Sequence, residues 1–303
     1  MNSDWTGVFP AVTTKFHADE SLDMGEMEKN FRAQVDAGVD GLIVCGSLGE
    51  ASTLEPDEKL EIAALAQKVS GGRVPVLLTV SERRTRTACD VAARAEAQGI
   101  DGLMVLPGMQ YVSDARETLA HLRAVADASK LPIMVYNNPV AYKVDVSVEM
   151  FAELAENERF VAIKESSDDV RRVTRIINAM GDRYRIFCGV DNLALEALMM
   201  GADGWVAGLV DAFPAETVAI YQLFKAGRIE EAREIYRWFV PLLELDVSTK
   251  LVQNIKLAET KVGLGTEHVR APRLPLVGEE RAHVEAVIDA ALKRRPSLPK
   301  LAA

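Results

Sequence analysis

The feature that most constrains the fold of this chain is a regular alternation of short apolar runs with amphipathic stretches, which continues to about residue 225. Short apolar runs between helical patterns are typical of strands that are buried on both faces. The predicted strands are 7–13, 41–45, 74–80, 102–106, 133–136, 161–164, 185–187 and 204–207. The predicted helices between them are 27–37, 57–69, 88–98, 114–128, 148–155, 170–180 and 193–200. Eight strand–helix units predict an α/β fold, a (β/α)8 TIM barrel.

The connections between helices and strands support the same fold. Gly38, Gly99, Gly181 and Gly201 each follow a helical pattern, where a glycine in the left-handed conformation commonly ends a helix. The alternative is an open, doubly wound sheet. The absence of a glycine-rich nucleotide-binding loop from the sequence favours the barrel over that alternative.

The pattern becomes purely helical after the eighth strand. Helices are predicted over 215–225, 229–245, 249–262 and 279–292, with an extended linker around Pro272 and Pro275. We therefore expect a catalytic barrel over 1–225 and a C-terminal helical extension over 226–303. The extension is expected to pack on the flank of the barrel or on another subunit.

Charge and composition reduce the number of function classes that fit this chain. The 303 residues carry a formal net charge of -10, which disfavours a nucleic acid or an anionic membrane as partner. No apolar stretch approaches membrane-spanning length, and the first ten residues lack the features of a secretory signal. Three widely spaced cysteines, Cys45, Cys89 and Cys188, favour a reducing, cytoplasmic location. The four histidines are isolated, so we expect neither a metal nor an organic cofactor.

The most informative residue for chemistry is Lys164, which ends the apolar run that begins at Phe160. Burying an ammonium group is costly, so a lysine at the end of a buried strand is unfavourable unless its amine has a task. Desolvation also lowers the pKa of the amine and frees its lone pair to attack a carbonyl or imine carbon. The alternative is that the side chain merely extends from the strand end into solvent.

Two other predicted strand ends carry polar groups. Strand two runs into a loop that contains Gly46, Ser47 and Gly49, and strand five ends at Tyr136. Backbone N–H groups in such a loop suit a carboxylate, and the phenol would stand at the barrel mouth. The alternatives are an ordinary βα turn and a tyrosine that anchors its loop. Because TIM-barrel active sites lie at the C-terminal ends of the strands, these residues and Lys164 together indicate an active site.

The segments that carry these residues resemble the dihydrodipicolinate synthase / N-acetylneuraminate lyase family of Schiff-base barrels. They are Gly-Ser-Leu-Gly-Glu at 46–50, Tyr-Asn-Asn-Pro at 136–139 and Ile-Lys-Glu-Ser-Ser at 163–167, and the resemblance extends over essentially the whole chain. It implies that Lys164 forms an imine with a 2-oxo acid, that Tyr136 transfers protons, and that Ser47 belongs to its relay. The residues expected to contact the substrate are Gly46, Leu48, Gly189, Val206, Asn138 and Tyr111. A homotetramer, built as a dimer of dimers, is also implied.

The chain departs from the pattern of the synthases at three positions. Leu48 replaces the second hydroxyl residue of the loop after strand two. Met109 replaces the tyrosine that a neighbouring subunit usually supplies, although Tyr111 is close enough in sequence to substitute for it. The stretch 140–143 lacks the arginine that holds a second carboxylate, and Lys143 has no bidentate fork to replace it. These departures argue against the lysine-pathway synthase.

A closer resemblance is to the bacterial 1-pyrroline-4-hydroxy-2-carboxylate deaminases of hydroxyproline catabolism. It rests on the opening Trp-Thr-Gly-Val-Phe-Pro at 5–10, the loop 44–50 and the segment 136–139. The reaction expected from it is deamination and dehydration of the cyclic imine to 2,5-dioxopentanoate and ammonia. The alternatives are 4-hydroxy-tetrahydrodipicolinate synthase, a pyruvate-dependent aldolase and a sugar-acid dehydratase. A non-catalytic barrel that senses a small acid is the alternative outside enzymes.

Overall fold

The computed structural model describes residues 5–108 and 110–300, so the prediction for Met109 lies outside the described residues. Eight parallel strands form one sheet in the order β1-β8-β7-β6-β5-β4-β3-β2. The bounds of the strands are β1 Gly7–Pro10, β2 Leu42–Val44, β3 Val76–Val80, β4 Gly102–Val105, β5 Ile133–Asn137, β6 Phe160–Glu165, β7 Arg185–Cys188 and β8 Gly204–Ala207. The predicted (β/α)8 barrel is confirmed.

The sheet closes on itself just beyond the end of β1. Ala11 forms a parallel bridge with Ile43 of β2, and the backbone N–H of Val12 donates to the carbonyl of Ile43 at 3.0 Å. Strand β1 is shorter than predicted, because the chain leaves β8 after Ala11, whose N–H donates to the carbonyl of Ala207 at 2.8 Å. Thr13 instead donates its backbone N–H to the carboxylate of Asp211 at 2.9 Å. This closure puts the C-terminal ends of all eight strands around one mouth.

Helices surround the barrel in the alternation that the sequence predicts. Their bounds are α1 Met24–Asp36, α2 Pro56–Ser70, α3 Thr85–Gln98, α4 Ala115–Asp127, α5 Pro139–Tyr142, α6 Val148–Leu154, α7 Arg171–Met180, α8 Ala194–Met199, α9 Pro214–Lys225, α10 Ile229–Leu243, α11 Leu251–Val262 and α12 Gly278–Lys293. Gly99 ends α3 with a φ of 82°, as predicted for a left-handed glycine. The short helix α5 was not predicted. It begins at Pro139, where proline suits the first helical position, and Asn138 caps it.

The C-terminal helices are joined to the barrel by two buried ion pairs. The Nζ of Lys256 on α11 lies 2.5 Å from Glu50, in the loop after β2. Glu259 of the same helix lies 2.5 Å from the Nζ of Lys15, in the loop after β1. All four side chains are fully buried. Separating the partners of such a pair would leave uncompensated charges in a buried place, which is costly. These contacts therefore fix α11 over the loops at the barrel mouth.

No helix within 5–108 or 110–300 combines the length and the apolar character needed to cross a membrane.

Candidate active site

Lys164 lies in the barrel mouth near the end of β6, where its side chain is 6 % exposed. Its Nζ lies 4.0 Å from the centroid of the Tyr136 ring. Within the described part of the chain, this amine has no hydrogen-bond or ion-pair partner. Burial lowers the pKa of Lys164, so a larger fraction of the amine is neutral near neutral pH than for a lysine in water. The alternative of a lysine that extends into solvent is therefore wrong.

Gly189, just after β7, gives Lys164 the space that it occupies. A Cβ atom at this position would lie 2.6 Å from Cε of Lys164 and 2.2 Å from Oγ of Ser166. Neither approach is sterically acceptable, so only glycine fits here without displacing the lysine. Gly189 thus acts through the position of the lysine, in addition to lining the cavity.

Tyr136, near the end of β5, provides a phenol next to the amine. Its hydroxyl accepts a hydrogen bond from Nδ2 of Asn138 at 3.0 Å. Burial raises the pKa of Tyr136, so the phenol stays protonated at neutral pH. A protonated phenol beside a lone pair suits a group that donates a proton in one step and accepts it back in another.

Ser47 connects this phenol to a second one, on Tyr142. The Ser47 hydroxyl is hydrogen-bonded to the hydroxyl of Tyr142. The ring centroids of Tyr136 and Tyr142 are 6.1 Å apart in an edge-to-face arrangement. Burial raises the pKa of Tyr142 to about 12. Sequence reasoning named Tyr142 only as part of a stretch without arginine, and no local pattern marked its phenol as a partner of Ser47.

The loop after β2 presents donors to the cavity. The backbone N–H groups of Ser47 and Leu48 have no acceptor among the described residues. Two free N–H groups at a tight turn suit one carboxylate. Glu50 holds the loop from behind, since its carboxylate is paired with Lys256 and also accepts the backbone N–H of Arg270 at 3.1 Å.

One cavity of about 550 Å³ brings these groups together. Eight of the nine predicted site residues line it: Lys164, Tyr136, Ser47, Gly46, Leu48, Gly189, Val206 and Asn138. The ninth, Tyr111, does not line it and is 60 % exposed in the loop after β4. Within a single chain, Tyr142 and not Tyr111 supplies the second phenol. A contribution of Tyr111 to the site of another subunit stays a prediction.

One wall of the cavity was not anticipated from the sequence. It consists of residues 246–249 and Leu251, in the turn between α10 and α11. Helix α11 was predicted to begin at residue 249, but it begins at Leu251 because the preceding residues form this turn. Asp246 places a carboxyl group in the wall, and burial raises its pKa well above the usual range. Only a three-dimensional contact between the tail and the barrel could have revealed it.

Asp191, in the loop after β7, has a structural role. Its carboxylate accepts hydrogen bonds from Nε1 of Trp205 at 2.9 Å, from the N–H of Gly208 at 3.1 Å and from the N–H of Leu209 at 2.9 Å. These three donors join the loop after β7 to the end of β8. With its acceptor sites occupied, Asp191 is not free to bind a substrate.

Comparison with known proteins agrees with this geometry. The model of the dihydrodipicolinate synthetase family matches residues 4–291. The 4-hydroxy-tetrahydrodipicolinate synthase of Exiguobacterium sibiricum is 33% identical over 276 residues, which cover 91% of this chain and 93% of that protein. Synthase 1 of Halalkalibacterium halodurans is 29% identical over 282 residues, which cover 93% of this chain and 96% of that protein.

Solved structures of dihydrodipicolinate synthases are also similar to this chain. The 4-hydroxy-tetrahydrodipicolinate synthase of Methylacidiphilum fumariolicum superimposes with a TM-score of 0.91 at 27% identity, covering 96% of this chain and 97% of its own. The pyruvate complex of the Acinetobacter baumannii dihydrodipicolinate synthase gives a TM-score of 0.90 at 25% identity, covering 94% of this chain and 98% of its own. The chain belongs to the dihydrodipicolinate synthetase family and is a class I lyase, an enzyme that works through a lysine Schiff base.

Proposed function

We propose that the enzyme deaminates 1-pyrroline-4-hydroxy-2-carboxylate through an imine on Lys164. The observation that carries the proposal is the buried, unpaired amine of Lys164 beside the Tyr136 phenol, in a cavity that no described arginine lines. The free N–H groups of Ser47 and Leu48 offer a place for one substrate carboxylate. A substrate with a single carboxylate and a hydroxyl group matches this lining better than a pair of carboxylic acids.

The chemistry follows from the positions of these groups. The neutral amine attacks C2 of the ring, the C2–N1 bond breaks, and N1 leaves as an amine that takes up a proton. Loss of a proton from C3 gives an enamine, whose electron pair expels the C4 hydroxyl as water. Proton shifts place an imine at C5, and hydrolysis there releases ammonia, while hydrolysis at C2 releases the ketone and frees Lys164. One water is lost and two are consumed, so substrate plus water gives 2,5-dioxopentanoate plus ammonia.

Tyr136 supports the proton transfers, because its phenol lies against the amine that becomes the imine nitrogen. Ser47 and Tyr142 continue the chain of hydroxyl groups away from it. Such a chain moves a proton without a charged intermediate being left in a buried site.

The second candidate is 4-hydroxy-tetrahydrodipicolinate synthesis. The comparisons favour it over the deaminase, since the relatives reported above carry that name. The pyruvate complex of the Acinetobacter baumannii relative also supports pyruvate as a substrate. The residues that line the cavity favour the deaminase instead. Lys143, the cationic side chain on the α5 side of the cavity, cannot hold a second carboxylate in a bidentate fork.

Borohydride trapping separates the two candidates. The intact mass of the protein is measured after reduction in the presence of either pyruvate or 1-pyrroline-4-hydroxy-2-carboxylate. The deaminase predicts an adduct with the pyrroline and release of ammonia in samples without borohydride. The adduct should disappear in Lys164→Ala and persist in the matched control Lys130→Ala, which removes an exposed lysine before β5.

Other outcomes contradict the deaminase in different ways. Trapping of pyruvate alone would move the assignment to the synthase or to a pyruvate-dependent aldolase. An adduct that survives in Lys164→Ala would show that the imine forms elsewhere. No adduct with either compound would contradict the lysine mechanism as a whole.

The proposal extends to assembly and location. A homotetramer is the arrangement we expect, and the exposed side chains of Tyr111 and Val112, 60 % and 67 % exposed, offer an apolar contact for a second subunit. Free Cys45, Cys89 and Cys188 support a reducing compartment such as the cytoplasm. Light scattering of the purified protein tests the assembly, and a monomer would contradict it.

A further inference from the structure

Asp246 is a carboxyl group in the cavity without a partner. It lines the same cavity as Lys164, yet its side chain makes no hydrogen bond or ion pair within residues 5–108 and 110–300. Asp191, nearby, has its acceptor sites occupied by Trp205, Gly208 and Leu209. Asp246 is half-buried and its carboxyl group faces the cavity, so it is the acceptor that the cavity leaves available to a donor on a ligand.

The fold holds Asp246 in this position. A Cβ atom on Gly208 would lie 2.8 Å from Oδ1 of Asp246, so the carboxyl group occupies the space that this glycine leaves open. The turn that carries Asp246 leads directly into α11, which the Lys256–Glu50 ion pair fixes to the loop after β2. The space beside Gly208 and the fixed start of α11 thus restrict where the carboxyl group can lie, which favours binding.

Asp246 lies near both groups of the proposed chemistry. It is the main charge that opposes the lowering of the Lys164 pKa by burial, and its charge also contributes, besides burial, to the raised pKa of Tyr136. Its position beside Gly208 places it after β8, whereas Tyr136 is on β5 and Lys164 on β6. A substrate chain bound to Lys164 therefore has both the phenol and the carboxyl group within reach.

We propose that Asp246 determines substrate specificity, by accepting a hydrogen bond from a hydroxyl or ammonium group on the substrate chain beyond the imine carbon. The inference rests on the proposed function for the imine at Lys164, but it does not require a pyrroline ring. It places a recognition residue for the substrate in the C-terminal region of the chain, outside the eight strands.

The test compares two acids that differ by one hydroxyl group, 4-hydroxy-2-oxobutanoate and 2-oxobutanoate. Borohydride trapping at increasing concentrations gives the concentration for half-maximal labelling of Lys164. The wild-type enzyme should prefer the hydroxylated acid by about twofold to tenfold, since a single hydrogen bond contributes ~0.5–1.5 kcal/mol. In Asp246→Ala the preference should fall to near one. Asp246→Asn should keep part of the preference, because its amide oxygen also accepts a hydrogen bond and the side chain has a similar shape.

Glu244→Gln is the matched control, since it makes the same carboxyl-to-amide change on an exposed side chain two residues away. It should keep the wild-type preference. Equal labelling by the two acids in the wild-type enzyme would overturn the role of Asp246 while the imine function stands. A preference for the hydroxylated acid that survives in both Asp246 variants would also overturn the role of Asp246. Absence of any adduct in the wild-type enzyme would overturn the proposed function and this inference with it.

Discussion

Two regions of this molecule contain buried lysines whose surroundings give them opposite roles. At the interface between the barrel and α11, Lys15 and Lys256 are fully buried and each lies 2.5 Å from a buried glutamate. In the barrel mouth, Lys164 is almost as deeply buried but has no ion pair among the described residues. A paired ammonium connects two parts of the fold, whereas an unpaired amine is driven toward its neutral, nucleophilic form.

The pKa directions reflect this difference in partners. Burial lowers the pKa of Lys256 to about 8, and the negative charge of Glu50 limits the shift. Burial also lowers the pKa of Lys164, where the opposing charges come from groups that do not contact it as ion-pair partners. Depth of burial alone thus does not distinguish Lys164 from the paired lysines. The difference is that no described carboxylate is bonded to Lys164.

The largest expected effect is on catalysis at Lys164. Lys164→Ala should lower turnover by at least about 10⁴-fold, because the other lysine that lines the cavity, Lys143, is exposed and donates its Nζ to the carbonyl of Val140. Steady-state kinetics on whichever substrate is trapped gives the measurement. If Lys256→Ala caused a comparable loss of turnover in protein that remains folded, the distinction between the two lysine environments would fail.

The next largest effect concerns the paired lysine. Lys256→Ala removes the nearer of two cations from the buried carboxylate of Glu50, leaves Arg273 at 3.6 Å, and should lower the free energy of unfolding by up to about 3–5 kcal/mol. Chemical denaturation measures the loss. The double variant Lys256→Met, Glu50→Gln should recover part of it, because both charges are then absent. A double variant as unstable as the single one would show that the charge imbalance is not the cause.

A smaller effect is expected at the second phenol. Tyr142→Phe should lower turnover about tenfold to hundredfold, since it removes one member of a proton relay but not the nucleophile. Trapping of the imine on Lys164 should persist. The control is Tyr184→Phe, which removes another buried hydroxyl, the one that donates to the carbonyl of Phe151 at 2.8 Å. Equal turnover losses in the two variants would point to stability and not to proton transfer.

The smallest effect is a gain in stability on removal of the amine. Lys164→Met should raise the free energy of unfolding at neutral pH by roughly 0.5–2 kcal/mol, as is common where function requires an unfavourable group. The pKa of Lys164 is lower in the folded protein than in the unfolded chain. Between those two pKa values the unfolded chain binds more protons, so wild-type stability rises with pH.

The advantage of Lys164→Met should consequently shrink as pH increases through that range. Denaturation curves for both proteins at a series of pH values test the sign. An advantage that grows with pH would mean that the folded protein raises the pKa of this lysine, contrary to its environment.

The sequence was sufficient for the parts of the site that lie at strand ends. Lys164, Tyr136 and Ser47 could be located because each follows a short apolar run, and barrel geometry brings strand ends together. The strand bounds were less accurate, as at β1, where closure of the sheet ends the strand at Pro10. Local periodicity carries no information on where a barrel closes.

The parts that could not be predicted depend on contacts between distant segments. Asp246 lies in the barrel mouth only because the tail folds back over it, and the pairing of Glu50 with Lys256 spans most of the chain. Glu50 precedes a short helical turn, but its carboxylate is paired with Lys256 and makes no capping hydrogen bond. Residue type and spacing do not encode such long-range partners.

The wall formed by residues 246–249 and Leu251 has a consequence for how related enzymes diverge. The nucleophile and its phenol belong to the strands, while this wall belongs to the segment that follows them. Exchange of residues 246–249 alone, with α11 and its ion pairs kept, should then alter the choice of substrate and leave the imine-forming residues intact. This short turn is thus the part of the cavity wall that can vary most independently of the strands.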